Sequence, residues 1–121
     1  MQAQKPKVIV TRKLPKDVEI RLTELFDTSL SMNDKQFTRD ELVNAVKKCD
    51  VLVPTVGDKI DGSLLAMAGK NLKLIANYGA GFDHIDVKTA LARGILVTNT
   101  PGVSASDTAD IAMTLILALP R

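Results

Sequence analysis

Cysteine and aromatic side chains are scarce in this chain of 121 residues, which has one cysteine, no tryptophan, one tyrosine and three phenylalanines. A single cysteine cannot form an intramolecular disulfide, so an apolar core must hold the fold together. Cys49 ends an amphipathic stretch, and this position predicts a buried or half-buried thiol rather than a reactive one. With 45% hydrophobic and 25% charged residues, the chain has enough apolar material for one ordinary core.

A bias of charge and a long apolar run are also missing. The 16 basic and 14 acidic residues give a net charge of +2 and lie scattered, without the basic stripe that nucleic-acid or membrane binding would need. The amino-terminal segment lacks the apolar core of a signal peptide, and no run approaches membrane-spanning length. We therefore expect no nucleic-acid or membrane partner and a cytoplasmic location.

Short apolar runs alternate along the chain with apolar residues at helical spacing, which is typical of a domain built from repeating strands and helices. Thr38, with Glu41 three residues later, predicts a capping box, while Gly69 and Gly94 predict the ends of later helices. The predicted strands cover residues 7–11, 28–32, 51–53, 72–76 and 95–98. The predicted helices begin near Pro15 and Thr38 and cover residues 63–68, 86–92 and 104–119.

Strands joined through helices require right-handed crossovers, and hence a parallel sheet that is covered on both faces. We predict an α/β fold, a flavodoxin-like doubly wound parallel sheet of five strands in the order 2-1-3-4-5, followed by a long C-terminal helix. The sheet domain is expected over residues 1–103 and the helix over residues 104–121. Ligands of such sheets bind at the carboxyl ends of the strands, which here carry the loops 11–14, 55–58, 77–83 and 99–106.

The loop Gly79-Ala80-Gly81 follows a strand and precedes a helix, as a dinucleotide-binding loop would. A dinucleotide fingerprint needs a third glycine three residues after the second, and that position holds His84. It also needs an acidic residue at the end of the next strand, where Thr98 and Asn99 stand. The dinucleotide interpretation therefore fails. Two interpretations stay open, a cradle of backbone N–H groups for a smaller anion such as a carboxylate, and a purely structural turn.

Three motifs occur in order along the second half of the chain. Residues 79–86 read Gly-Ala-Gly-Phe-Asp-His-Ile-Asp, residues 93–102 read Arg-Gly-Ile-Leu-Val-Thr-Asn-Thr-Pro-Gly, and residues 108–110 read Thr-Ala-Asp. These motifs resemble the substrate-domain signature of the D-isomer-specific 2-hydroxyacid dehydrogenases, in particular the glyoxylate/hydroxypyruvate reductase branch. The amino-terminal Val-Thr-Arg-Lys-Leu-Pro resembles that branch too, so the likeness covers essentially the whole chain.

The resemblance implies a role for five residues. The main-chain N–H groups of Ala80 and Gly81 are expected to hold the substrate carboxylate. Val56 and Gly57 correspond to residues that line the same pocket and shape the fit of the substrate's side chain. Thr108 matches a threonine that approaches the nicotinamide end of the cofactor. The predicted substrate is a small 2-keto or 2-hydroxy acid.

The resemblance also implies that the chemistry lies elsewhere. The family's arginine, and its histidine with a partner carboxylate, lie in or beyond a cofactor domain downstream of the 121 residues. We therefore predict no catalytic residue and no metal site in this chain. The full-length parent is expected to use NAD or NADP, whereas the chain alone is expected to be inactive and to bind neither cofactor tightly.

Several polar residues near the glycine loop could suggest catalysis, but each has a structural explanation. His84 matches a position where family members tolerate asparagine, so a surface or capping role is predicted. Asp86 stands where a helix N-cap is needed, and Asp83 is expected to accept backbone N–H bonds that fix the loop. Arg12 is predicted to have a solvent-facing or capping role. The alternative is that its charge adds positive potential near the anion site.

The predicted last helix is apolar nearly all round, and such a helix must be buried on several sides. In the family it is an interdomain helix that leads into the cofactor domain. Without that domain the helix would be exposed, so we predict a homodimer or swapped self-association through residues 104–119.

Three functions fit the sequence. The leading hypothesis is the substrate-binding portion of an NAD(P)-dependent oxidoreductase that reduces glyoxylate or hydroxypyruvate. The alternative is a non-enzymatic peptide-binding module, since corepressors related to this family use the same fold. The third is a free-standing flavodoxin-like domain, because this sheet hosts many functions.

Overall fold

The computed structural model describes residues 5–100, in which five strands alternate with four helices. The strands are β1 (Lys7–Val10), β2 (Asp27–Ser29), β3 (Val51–Val53), β4 (Leu74–Ala76) and β5 (Leu96–Thr98). The helices are α1 (Lys16–Leu25), α2 (Arg39–Lys48), α3 (Gly62–Ala66) and α4 (Val87–Ala92).

The five strands form one sheet in the order β2-β1-β3-β4-β5, and every neighbouring pair is parallel. The predicted α/β fold and strand order are therefore confirmed. The chain moves outward from β1 to β2 and then returns past β1 to β3, so the order reverses between β1 and β3. In open parallel sheets this reversal separates the loops at the carboxyl ends and leaves a crevice for ligands.

Apolar side chains bury both faces of the sheet. Ile9, Leu52 and Ile75 project to one face, where they pack with helices α2, α3 and α4 in one hydrophobic cluster. Their neighbours along the strands project to the other face, which α1 covers, and this second cluster includes Val10 and Val53. Because both faces are buried, β3 and β4 consist of consecutive buried apolar residues rather than an alternating pattern.

Side-chain caps fix the ends of the helices. The predicted capping box of α2 is confirmed, since Thr38 Oγ1 accepts from the Glu41 N–H at 3.2 Å and Glu41 Oε1 accepts from the Thr38 N–H at 3.0 Å. Asp86 is the N-cap of α4, as predicted, and accepts from the Thr89 N–H at 3.1 Å. Asp61 caps α3 by accepting from the Leu64 N–H at 2.9 Å, which places the start of this helix before the predicted position 63.

The predicted second strand, residues 28–32, is displaced in the structure to Asp27–Ser29. Phe26 closes α1 in an extended conformation, so the chain enters β2 without a loop. The pairing of β2 with β1 ends at Ser29, opposite Ile9, and Met32 beyond it is 83% exposed.

Gly69 does not end a helix in the way that was predicted. Helix α3 ends at Ala66, and Gly69 does not have the positive φ of a helix-terminating glycine, whereas Gly94 after α4 has φ 76°. A Cβ at Gly69 would lie 2.6 Å from the Lys47 carbonyl oxygen at the end of α2. The residue is glycine because two backbone segments approach each other closely there.

The predicted long helix of residues 104–119, the boundary between residues 103 and 104, and Thr108 lie outside the described residues.

Candidate anion-binding site

The buried polar residues of residues 5–100 all lie at the carboxyl ends of the strands. Thr11 directly follows β1, Asp58 lies in the loop after β3, Asn77 directly follows β4, and Thr100 comes two residues after β5. Each is no more than 6% exposed. Buried polar groups are normally hydrogen-bonded, so the partners of these four side chains show what this edge of the sheet is built to hold.

Asn77 organises the loop after β4. Its side-chain Nδ2 donates to the carbonyl oxygen of Gly79 at 3.2 Å and to that of Gly81 at 2.9 Å. Its Oδ1 lies 2.8 Å from Nε2 of His84. Both amide hydrogens are therefore engaged by backbone oxygens, and the remaining oxygen requires a donor from His84.

The segment after β5 holds the other side of the same loop. Asn99 Nδ2 donates to the carbonyl oxygen of Ala80 at 2.8 Å, and the Thr100 N–H donates to that of Gly79 at 3.0 Å. The Gly79 N–H in turn donates to Thr100 Oγ1 at 3.1 Å. Each carbonyl from Gly79 to Gly81 thus has a protein donor.

The N–H groups of Ala80 and Gly81 are different, because within residues 5–100 neither donates to an acceptor. Both residues are exposed. Two successive backbone N–H groups at a glycine-rich turn form a concave region of positive potential that suits an anion. A carboxylate, with two oxygens, can accept one bond from each.

His84 lies half-buried beneath this loop rather than at the surface or at a helix cap, which corrects the prediction. Because Asn77 Oδ1 can only accept, the proton must sit on Nε2 of His84. Burial lowers the pKa of His84, although the negative charges of Asp58 and Asp83 oppose this shift. The ring therefore acts as a neutral donor at pH 7, fixed by its bond to Asn77.

Asp58 holds the loop after β3. Its Oδ2 accepts from the hydroxyl of Thr11 and, at 2.9 Å, from the N–H of Thr55. The Asp58 N–H donates to the Thr55 carbonyl oxygen at 3.0 Å, which closes the turn around Val56 and Gly57. Asp58 Oδ1 is buried and has no partner among residues 5–100, so the carboxyl group at this edge is only partly satisfied.

Val56 and Gly57 lie at the tip of that turn. Val56 is 74% exposed. The Gly57 carbonyl oxygen accepts from the side-chain Nε2 of Gln36. The turn thus exposes one apolar side chain, while a hydrogen bond from Gln36 holds its backbone.

Backbone hydrogen bonds join the loops after β3 and β4. The Tyr78 N–H donates to the Pro54 carbonyl oxygen at 2.9 Å, and the Ile60 N–H donates to the His84 carbonyl oxygen at 2.8 Å. Ile60 also forms a parallel bridge with Ile85. The structure therefore brings the loop of Val56 and Gly57 beside the loop of Ala80 and Gly81 at one edge of the sheet.

Two other charged residues do not take part in the loop. Arg12 forms a salt bridge with Asp34, at 2.9 Å from Nε to Oδ1, so its charge is directed to a neighbouring loop. Asp83 is exposed, and within residues 5–100 no N–H donates to its side chain. The prediction that Asp83 fixes the glycine loop is wrong, because Asn77 and Asn99 do so.

A cleft of about 420 Å³ lies on the far side of Gly57, beneath the start of α2. Two of its charged residues form a pair, since Arg39 Nη2 lies 2.6 Å from Oδ1 of Asp61, and Lys59 lines the cleft beside them. The pairing holds the pKa of Asp61 well below its usual range. Of the predicted site residues within 5–100, only Gly57 lines this cleft.

The sequence missed Asn77, Asn99 and Asp58 as functional candidates. Asn77 and Asn99 each carry a weak signal, an amide placed within a residue of the end of an apolar strand, where loops that bind ligands begin. Asp58 lies in the predicted loop 55–58, but its partner Thr11 is 47 positions away, so no local pattern indicates their hydrogen bond.

The described residues contain no group of three or more His, Cys, Asp or Glu side chains that could hold a metal ion. Every helix among residues 5–100 is too short or too polar to span a bilayer. A dinucleotide does not fit the glycine loop either, since His84 fills the position of the third glycine and its ring is bonded to Asn77.

Residues 8–114 match the family model of the D-isomer-specific 2-hydroxyacid dehydrogenase catalytic domain. The chain belongs to this family. Over 117 residues it is 44% identical to a glyoxylate reductase from Thermococcus litoralis, a match that covers 97% of the chain and 35% of that enzyme. The chain thus spans about a third of the length of the curated relatives it matches.

Solved structures show the same likeness. A protein from Thermus thermophilus is 42% identical with a TM-score of 0.70, and the match covers 93% of this chain and 36% of that protein. An NADPH-dependent glyoxylate/hydroxypyruvate reductase from Sinorhizobium meliloti, in complex with NADP and malonate, is 32% identical with a TM-score of 0.59. That match covers 94% of this chain and 34% of the reductase.

Proposed function

We propose that this member of the 2-hydroxyacid dehydrogenase family is the substrate-binding portion of an NAD(P)-dependent oxidoreductase that reduces a small 2-keto acid, glyoxylate or hydroxypyruvate, to the 2-hydroxy acid. Residues 1–103 form the substrate-binding domain, and residues 104–121 form a helix that leads to a cofactor domain. The names of the relatives support this proposal, since glyoxylate reductases recur among the curated matches.

The observation that carries the proposal is the pair of N–H groups at Ala80 and Gly81, which have no acceptor among residues 5–100 while the carbonyls of the loop have donors. A 2-keto acid always presents a carboxylate, whatever its side chain. Hydrogen bonds from neutral N–H groups to a charged oxygen are about twice as strong as those between neutral groups. The pair therefore anchors the part that all such substrates share.

The neighbouring turn accounts for selectivity. Val56 and Gly57 occupy the loop that is bonded to the glycine loop through Tyr78 and Pro54. An exposed valine and a residue without a side chain leave room for the small group on the 2-carbon of the substrate. The S. meliloti reductase forms a complex with malonate, which is also a small carboxylate.

Hydride and proton transfer require groups outside this site. The nicotinamide cofactor, NAD or NADP, would supply the hydride when bound, and Thr108 is proposed as a residue that contacts it. His84 does not exchange the proton, because its Nε2 is engaged by Asn77 beneath the loop. The role of this chain is to bind and orient the keto acid, and by itself it is inactive. We place the enzyme in the cytoplasm and expect the isolated chain to self-associate through residues 104–119.

A substrate panel on the full-length product of the gene tests the proposal. Glyoxylate, hydroxypyruvate, pyruvate and a bulky aromatic 2-keto acid are each assayed with NADH and NADPH by the loss of absorbance at the nicotinamide band. We expect the two small hydroxylated or unsubstituted acids to give the highest kcat/KM. Absence of turnover with every acid, or turnover by the 121-residue chain alone, would contradict the proposal.

A further inference from the structure

We propose that Asn77 and Asn99 are positioning residues that together set the direction of the Ala80 and Gly81 N–H groups. The inference rests on the proposed function, because it assigns the direction of these groups to the capture of a substrate carboxylate. Neither asparagine side chain is proposed to touch the substrate.

The geometry of the peptide bond links each asparagine to one N–H group. No peptide bond in residues 5–100 is cis, and in a trans peptide the carbonyl oxygen and the following N–H point in opposite directions. Asn77 and the backbone N–H of Thr100 both donate to the Gly79 oxygen, so the Ala80 N–H of the same peptide points away from them. Asn99 draws the Ala80 oxygen towards itself, so the Gly81 N–H points away from it.

Asn77 is suited to this task because it is rigid. Asn77 is 1% exposed, its two amide hydrogens are donated to carbonyl oxygens of the loop, and its oxygen is bonded to His84 Nε2. A glycine-rich loop has little conformational preference of its own. Without these bonds its peptide planes would rotate, and the two N–H groups would point in one direction only part of the time.

Asn99 differs from Asn77 in that its bond to Ala80 is near the surface. Its replacement therefore has less effect on folding, while the effect on the Gly81 N–H remains. Substitution of the buried Asn77 and of the more accessible Asn99 therefore tests the same positioning role at two sites.

The test compares Asn77→Leu and Asn99→Leu in the full-length enzyme with Asn44→Leu, the same change at an exposed site on α2. We expect the KM for glyoxylate to rise roughly tenfold in the first two variants, since the loss of one hydrogen bond to a charged group has about this effect. The KM for the nicotinamide cofactor and the value of kcat should change less than threefold. Asn44→Leu should match the wild type.

His84 supplies a graded test of the same network. His84→Gln can place an N–H donor close to the position of Nε2, facing Asn77 Oδ1, whereas His84→Leu removes the donor. We expect the KM for glyoxylate to rise in His84→Leu and to be largely restored in His84→Gln. A uniform loss of kcat and of cofactor affinity in all variants would instead indicate general disruption, and would overturn the positioning role.

Calorimetric binding of oxamate, a keto-acid analogue that is not reduced, separates this inference from the proposed function. If the wild type reduces keto acids and all three leucine variants at positions 77, 84 and 99 keep its KM, only the positioning role fails. If the wild type neither reduces keto acids nor binds oxamate, both fail. If Asn77→Leu does not fold, as judged by circular dichroism, the outcome for Asn99→Leu decides.

Discussion

The interior of the sheet and its carboxyl edge are held together by different forces. The interior is made of apolar side chains such as Leu52 and Ile75, neither of which is exposed at all. The edge contains every buried polar residue of the described part of the chain, in the loops that follow β1, β3, β4 and β5. Stability in the interior depends on contact area, whereas at the edge it depends on individual hydrogen bonds.

This difference explains how one domain can be rigid and still present unsatisfied groups. Inside the sheet, every backbone N–H must be paired, because an unpaired buried group is costly. At the edge, side chains such as Asn77 and Asn99 satisfy the carbonyl groups of the loop, and this frees the N–H groups of Ala80 and Gly81. Two neighbouring backbone N–H groups are thereby left available for the proposed carboxylate.

Substitutions in the interior of the sheet should cause the largest loss in the free energy of unfolding. Ile75→Ala removes buried methyl groups between β4 and the helices, and we expect the free energy of unfolding to fall by about 2–5 kcal/mol. Leu91→Ala, at a position on α4 that is 55% exposed, should change it by less than about 0.5 kcal/mol. Urea unfolding followed by circular dichroism measures both, and equal losses would contradict the described packing.

Two glycines provide the next contrast. Gly69→Ala places a Cβ 2.6 Å from the Lys47 carbonyl oxygen, so backbone must move, and we expect a loss of about 1–3 kcal/mol. A Cβ at Gly81 meets nothing within 4 Å, so Gly81→Ala should leave the free energy of unfolding nearly unchanged. If the losses proved equal, the close approach at Gly69 would not explain that glycine.

The same contrast separates what the sequence could predict from what it could not. The strands and their order follow from local signals, namely apolar runs such as residues 51–53 and capping residues such as Thr38, which act within a few positions. Gly69 was misinterpreted because a glycine after a helix signals a stop, while the segment it approaches lies 22 positions earlier.

The site was predicted only in part for a related reason. The family resemblance named Ala80 and Gly81, but not the side chains that orient them. Asn99 acts on a residue 19 positions away, and His84 reaches Asn77 across the loop. Such bonds are created by the packing of loops against each other, so no local pattern in the sequence encodes them. Thr108, the predicted cofactor contact, stays a prediction.

At the carboxyl edge, loss of the Thr11 hydroxyl group should lower the free energy of unfolding by a smaller but measurable amount. Thr11→Val keeps the shape of the side chain but removes the donor to Asp58, whose other oxygen already has no partner among residues 5–100. We expect the free energy of unfolding to fall by about 1–2 kcal/mol. Thr11→Ser keeps the hydroxyl and should lose less, and the reverse order of the two variants would show that packing dominates at this position.

Titration of the Cys49 thiol should not change the free energy of unfolding near neutral pH, because the thiol is buried in the interior. Burial raises the pKa of its thiol from an ordinary value of 9.0 to about 12. In the folded chain the thiol should therefore fail to react with a thiol-specific reagent at pH 8, and it should react rapidly in urea.

The raised pKa of Cys49 means that the folded state keeps a proton which the unfolded state loses above pH 9. The stabilisation is thus complete below pH 9 and decreases by about 1.4 kcal/mol per pH unit as the pH rises towards 12. Cys49→Ala should lack this slope relative to the wild type, and identical pH profiles for the two proteins would show that the thiol is not shielded from water.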